Sequence, residues 1–375
     1  MLGKFFKLLF IFLAILGLNA CKQNSSVSSK KEQVQFKSES SSKLLNQSKI
    51  LSYSDSFSFV PTFLGDDKVI YGYSMNEQEK KSSLISLNLE NNKYSVIKSL
   101  DFAENPITFG VYYADEDYII FNEYHYEGQE SKYFLLNKKD NNSLEILNIP
   151  EVPPLHFTEI KRWGNRFIIV TSDSTGNYPV ISYDLESKEI TSIEPNNSGY
   201  PVVVDNILYY ILLDNTQLTT SLMSYNLITF EKNELSKTEG KDEFYNGLYS
   251  NDKELIIVKQ TPEGMTFYQR DGDNSKKLFF SEYSESVSSY NGFLTFLGNN
   301  QTSNDGRLQY YLYDLNKKIK YDYDGSVLYL SNVGIFWVEY LTPESQIANG
   351  EVFTKENSRM RFFEFSKEEN YEEEN

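Results

Sequence analysis

The 375-residue sequence predicts an all-β fold, and three observations carry that expectation. Tyr (29) and Phe (26) are abundant beside many Ile, Val and Leu, and aromatic and β-branched side chains suit a half-buried pleated surface. Beyond the first 20 residues no long stretch shows the 3.6-residue periodicity of a packed helix. The chain also repeats itself, each repeat holding a strongly apolar strand and then a more alternating one.

The alternating strand ends in a recurring unit followed by a polar turn and a further strand. Leu84-Ile85-Ser86-Leu87-Asn88-Leu89 leads into the turn Glu90-Asn91-Asn92-Lys93, and the pattern returns at 180–185, 222–227 and 310–315, with weaker copies at 133–138, 265–270 and 360–365. The copies end at 89, 138, 185, 227, 270, 315 and 365, so their spacing is 42 to 50 residues. The strongly apolar strands precede them at 68–71, 117–121, 166–170, 207–211, 254–258, 292–296 and 333–338. A period of roughly 40–50 residues with about four short strands is that of a β-propeller blade. Residues 49–366 are therefore expected to form a single propeller of seven blades, each of about four antiparallel strands. Ser182-Tyr183-Asp184-Leu185 and Leu312-Tyr313-Asp314-Leu315 are similar to the x-Tyr-Asp-Leu blade ending of TolB-like and quinoprotein-like propellers. β-Sandwiches space their strands as closely, but the long regular period and constant internal order favour the ring.

The elements that flank the ring follow from local composition. Lys4 and Lys7 precede an apolar run from Leu8 to Leu18, too short for the ~20 residues of a membrane span and of the right length for a secretory leader. Leu18-Asn19-Ala20-Cys21 closes it. This resembles a bacterial lipoprotein signal peptide (residues 1–20), which implies that Cys21 is diacylated and becomes the first mature residue. Residues 21–48 read as a lipidated, disordered tether, since nine of residues 22–48 are Ser and few are apolar. Residues 49–53 are a spare strand candidate, whereas the last repeat lacks an outer strand before the acidic tail at 367–375. The N-terminal strand is expected to supply it and close the ring in the last blade.

Charge and residue inventory limit the function. Lys and Arg (36) are outnumbered by Asp and Glu (53), and the net charge of −17 becomes about −19 once Lys4 and Lys7 leave with the leader. That balance argues against nucleic acid and against a polybasic membrane contact, so attachment falls to the lipid on Cys21. Cys21 is the only cysteine, which leaves no intramolecular disulfide. His125 and His156 are the only histidines, too few for a multi-His metal site and poor material for a His-based triad. Carboxylates gather in turns such as Asp66-Asp67 and Asp115-Glu116-Asp117, where turn chemistry explains them. Asp271-Gly272-Asp273-Asn274 and Asp322-Tyr323-Asp324-Gly325 lack the spaced Glu of a calcium loop. No catalytic, cofactor-binding or metal residue is assigned, and no cofactor is expected.

Aromatics near strand ends, Tyr124, Tyr126, Trp163, Tyr200, Tyr245 and Tyr290, are candidates for a recognition face. The expected function is a lipid-anchored extracytoplasmic binding or scaffold module at the bacterial cell envelope, with a protein, peptide or glycan ligand. The alternative is an envelope carbohydrate-active enzyme using propeller-face carboxylates. Two carboxylates facing each other across the central channel favour the enzyme, and an aromatic loop patch without them favours the binder. A transporter's solute-binding component needs alternating strands and helices, which this chain lacks.

Overall fold

The computed structural model describes residues 34–40, 42–126, 130–140, 143–146, 159–171, 178–239, 242–251, 254–271, 274–299, 308–322, 325–342 and 352–365. The chain begins with β1 (Lys37–Ser40), α1 (Ser42–Gln47) and β2 (Lys49–Leu51). Seven sheets follow. Blade one is β3 (Val60–Leu64), β4 (Val69–Asn76), β5 (Lys81–Asn88) and β6 (Lys93–Asp101). Blade two is β7 (Ile107–Ala114), β8 (Tyr118–His125), β9 (Glu130–Asn137) and β10 (Ser143–Ile146). Blade three is β11 (Glu159–Trp163), β12 (Arg166–Val170), β13 (Val180–Asp184) and β14 (Ile190–Glu194). Blade four is β15 (Ser198–Val204), β16 (Ile207–Asp214), β17 (Thr219–Asn226) and β18 (Lys232–Lys237). Blade five is β19 (Phe244–Asn251), β20 (Glu254–Thr261), β21 (Gly264–Asp271) and β22 (Asn274–Ser281). Blade six is β23 (Glu285–Tyr290), β24 (Phe293–Asn299), β25 (Leu308–Asp314) and β26 (Ile319–Asp322). Blade seven has β27 (Gly325–Ser331), β28 (Gly334–Tyr340) and β29 (Ser358–Glu364).

Strands lie side by side in chain order within each blade, and these neighbours are antiparallel, as in the eight-residue register from Ile207↔Asn226 to Asp214↔Thr219. The expected seven-bladed architecture is thus the one formed. Seven apolar clusters separate the blades, one at each junction: Ile120 and Leu135 meet Phe167 and Ile181 between blades two and three, and Phe336 and Met360 meet Ile70 and Leu87 between blades seven and one. Burying both faces of every sheet is why the second strands are almost wholly apolar. Ile168, Leu208, Ile256, Leu294 and Ile335 are all completely inaccessible.

The repeated Asp/Asn-Leu signature has a physical cause. Asp184 Oδ1 accepts the N–H groups of Glu186 and Ser187, both at 3.0 Å, and Asn88 and Asn226 cap their turns in the same way. The next residue reaches across to the hairpin between the first and second strands. Leu185 N donates to Asn165 O, Leu89 N to Lys68 O, Leu227 N to Asn206 O and Leu315 N to Gly292 O, while all four side chains are buried. One residue organises the turn; its neighbour pins two hairpins together.

The ring closes through its N-terminal strand. β2 pairs antiparallel with β29, Lys49↔Phe362, Ile50↔Arg361 and Leu51↔Met360, so blade seven gains its outer strand as expected. The tether boundary needs correction. β1 adds a fifth strand to blade six, parallel to β26 from Lys37↔Ile319 to Ser40↔Asp322. Phe36 stands edge-on to Tyr313 at 4.9 Å and to Phe279 at 5.8 Å, and Leu44 is buried among Leu312, Leu328 and Trp337. The few apolar residues of a Ser-rich stretch suffice when grooves between finished blades receive them. The leader, Cys21, residues 22–33 and the tail at 367–375 lie outside the described residues.

Candidate functional site

Antiparallel order gives the ring two unlike faces. The turn face carries the hairpins between first and second and between third and fourth strands. The loop face carries the remaining hairpins and the connections between blades. First strands line the central channel, and near the turn face two adjoining cavities of about 340 Å³ share Lys161, Val203, Ser288 and Tyr290. Between them they draw on the first strands of all seven blades.

Among the described residues lining these cavities, Asp66 is the one carboxylate. It joins three blades: its N–H donates to Ala114 O at 3.0 Å, and its Oδ1 accepts Asn332 N–H at 3.3 Å. Burial pushes its carboxyl up to about 6; the Asn332 N–H and the Lys161 ammonium oppose the shift, and Asp67 and Asp115 reinforce it. A carboxylate pair facing across the channel is not seen among these residues.

Beside the channel, ion pairs join neighbouring blades. Arg162 grips Asp115 Oδ2 at 2.5 Å and Asp117 Oδ2 at 3.0 Å, and its guanidinium lies 4.9 Å from the Tyr118 ring centroid. Burial works against ionisation of Asp115, but hydrogen bonds from Tyr113, Arg162 and the N–H groups of Asp117 and Tyr118 outweigh it and hold the carboxyl below its ordinary value. Lys138 bonds Asp67 and Asp115 O, and Asp67 also accepts the Tyr71 hydroxyl. The carboxylates expected to serve as turn caps thus also join blades one, two and three. Nothing in the sequence announced Arg162 or Lys138 as their partners, because each lies on a different blade.

On the loop face a cavity of about 460 Å³ opens between blades four and five, a volume within the range of small-molecule sites. Its rings are Tyr178, Tyr200, Phe244 and Tyr245, and its amides are Asn197, Asn246 and Gln260; among the described residues no charged side chain lines it. Tyr245 is fixed by its hydroxyl to Ser236 at 2.8 Å and by its N–H to Thr220 Oγ1 at 2.7 Å. The side chains of Asn197 and Gln260 make no hydrogen bond among the described residues.

The structure disperses the other candidates. Tyr124 and Tyr126 form an edge-on pair at 4.7 Å at the loop-face end of β8, beside His125, whose Nε2 is 3.7 Å from Glu123 Oε2. Trp163 donates to Asn206 Oδ1 at 3.3 Å on the turn face, and Tyr290 lines the channel. Only Tyr200 and Tyr245 share a cavity. His156 and parts of both Asp-rich loops, at 272–273 and 323–324, lie outside the described residues. Among the described residues no cluster of three or more His, Cys, Asp or Glu is arranged to hold a metal ion.

No protein-family model and no curated protein matches the chain. Solved structures do. The chain is similar to an oligogalacturonate lyase in complex with manganese at 10% identity and TM-score 0.53, over 89% of this chain and 99% of that one. It is similar to a puromycin hydrolase at 9% identity and TM-score 0.52, over 84% and 53%. A β-propeller domain of a Pyrococcus furiosus protease, described as having an open velcro topology, aligns at 12% identity and TM-score 0.50, over 76% and 91%. The chain spans about half the length of the puromycin hydrolases it matches. At these identities the likeness establishes the fold: a β-propeller like those carried by peptidases, here with its last blade completed by β2.

Proposed function

We infer that this chain is a lipid-anchored, extracytoplasmic propeller of TolB-like character that binds a ligand at the bacterial cell envelope. The observation that carries the reading is the loop-face pocket between blades four and five, with its four aromatic rings and three side-chain amides. The lipobox ending at Cys21 supplies the address, and a protein, peptide or glycan of the envelope is the partner class. Membrane fractionation tests the anchor. Cys21→Ser is expected to release the protein into the soluble fraction or leave it unprocessed, and normal processing with retention on membranes overturns the lipoprotein assignment.

An envelope enzyme acting on carbohydrate is the second reading. One observation favours it: Asp66 lies in the channel with its carboxyl raised to about 6, the range of a general acid. A glycosidase of the usual kind also needs a second carboxylate. Hydrolysis of a glycan or peptide panel that disappears in Asp66→Asn would replace the binding reading.

A further inference from the structure

We propose that the loop-face pocket between blades four and five is a subsite for an uncharged sugar unit of an envelope glycan. This rests on the binding-module reading and names its ligand.

Charge is the first argument. Among the described residues no carboxylate, ammonium, guanidinium or imidazole lines the cavity. The nearby Lys259 pairs with Glu243 at 3.0 Å and lies 5.1 Å from the Tyr245 ring centroid. An anionic or cationic ligand therefore finds no counter-charge among the described residues of the pocket, and the acidic surface repels the former.

Polarity is the second. A purely apolar ligand would dry the amides of Asn197 and Gln260 without giving them partners, which is costly. The Asn246 amide nitrogen meets the weak acceptor Met265 Sδ at 3.6 Å, and its oxygen accepts no hydrogen bond among the described residues. Side-chain amides both donate and accept, as does each sugar hydroxyl, and the C–H face of a pyranose lies flat on an aromatic ring. Rings and amides in one uncharged cavity match that combination.

Placement is the third. Tyr200 has φ +56°, a left-handed conformation that bulky residues avoid. It sits in a bulge of β15 between Gly199 and Val202, and its ring stands edge-on to Tyr249 at 6.4 Å. The bulge turns the Tyr200 ring onto the core of Val202, Tyr245 and Leu248 while leaving it in the cavity wall, so the ring's place beside the amides is fixed by the fold.

The test is calorimetry of the purified full chain against neutral oligosaccharides (β-glucan and N-acetylglucosamine oligomers), with oligogalacturonate and uncharged peptides as competing arms. A neutral oligosaccharide is expected to bind, and Tyr178→Ala and Gln260→Ala each to weaken it about ten-fold or more. Tyr178 is 38% exposed, so its variant is expected to keep its Tm, and that control separates lost contacts from lost folding. Failure of every neutral oligosaccharide, or unchanged affinity in both variants, overturns the subsite. Peptide binding that both variants weaken overturns the sugar but keeps the pocket. Release by Cys21→Ser is read separately, so the anchor and the subsite fail independently.

Discussion

Blades one to three at the turn face and blades four and five at the loop face pack with the same strand order, yet they treat polar groups in opposite ways. At the first, Asp67, Asp115, Asp117, Lys138 and Arg162 find partners across blade junctions. At the second, among the described residues, no charged side chain lines the cavity and the Asn197 and Gln260 side chains make no hydrogen bond. Polar groups satisfied by the protein itself hold it together; polar groups left available, with aromatic rings fixed beside them, are what a ligand can use. In a ring of similar blades, recognition is therefore sought where self-satisfaction stops.

The largest effect should come from removing what both regions share, the closed ring. Deleting Lys49–Leu51 strips β29 of its outer partner, leaving it paired to β28 alone, and takes away Leu51, which is 4% exposed. Loss of one buried leucine alone costs about 2–5 kcal/mol, and the melting temperature of the whole domain is expected to fall on the order of 10 °C. Deleting residues 22–33 should leave it unchanged. Scanning calorimetry decides, and equal tolerance of both deletions would show that β2 does not hold the ring. The next effect separates the regions. Arg162→Met leaves Asp115 and Asp117 without their shared cation, at a cost of about 2 kcal/mol given their partial exposure. Asp115, held below its ordinary value, contributes stability above that value and loses it as pH falls through the lowered one. The variant should therefore flatten the acid limb of the stability curve while ligand binding at the other region stays intact. Impaired binding would show that the two regions are coupled.

Much of this was legible in the chain. The third strands follow from their Asp/Asn-Leu endings, the second strands from their apolar runs, and the closing strand from the missing partner after Phe365. First strands were harder to read, because six of the seven carry a bulge or irregularity that breaks the two-residue period, as at Pro61/Phe63 and Tyr245/Gly247. β1 was missed because pairing to a finished blade edge leaves little trace in a polar sequence. The pocket was half legible. Tyr200 and Tyr245 stood out as aromatics, but Asn197, Asn246 and Gln260 are ordinary polar residues until the fold gathers them from two blades.

The smallest effect tests where Asp66 belongs in this contrast, since it sits in the channel but beside the ion pairs. Its ordinary value is 3.8 and burial raises it to about 6, so between those pH values the folded protein holds a proton that the unfolded chain has released. Stability therefore falls as pH rises through that window, and below it both states are protonated. Asp66→Asn keeps an oxygen for the Asn332 N–H and removes the charge. The variant should match the parent near pH 4 and exceed it at pH 7, by about 1 kcal/mol once solvent screening is allowed for. Urea-unfolding midpoints from pH 4 to 8 measure the gap. A gap that does not change with pH, or a variant weaker at pH 7, would mean that the Asp66 carboxylate is stabilised by Lys161 more than burial penalises it. Asp66 would then join the ion pairs that bind the blades together, and the channel would keep no carboxylate poised to act as an acid.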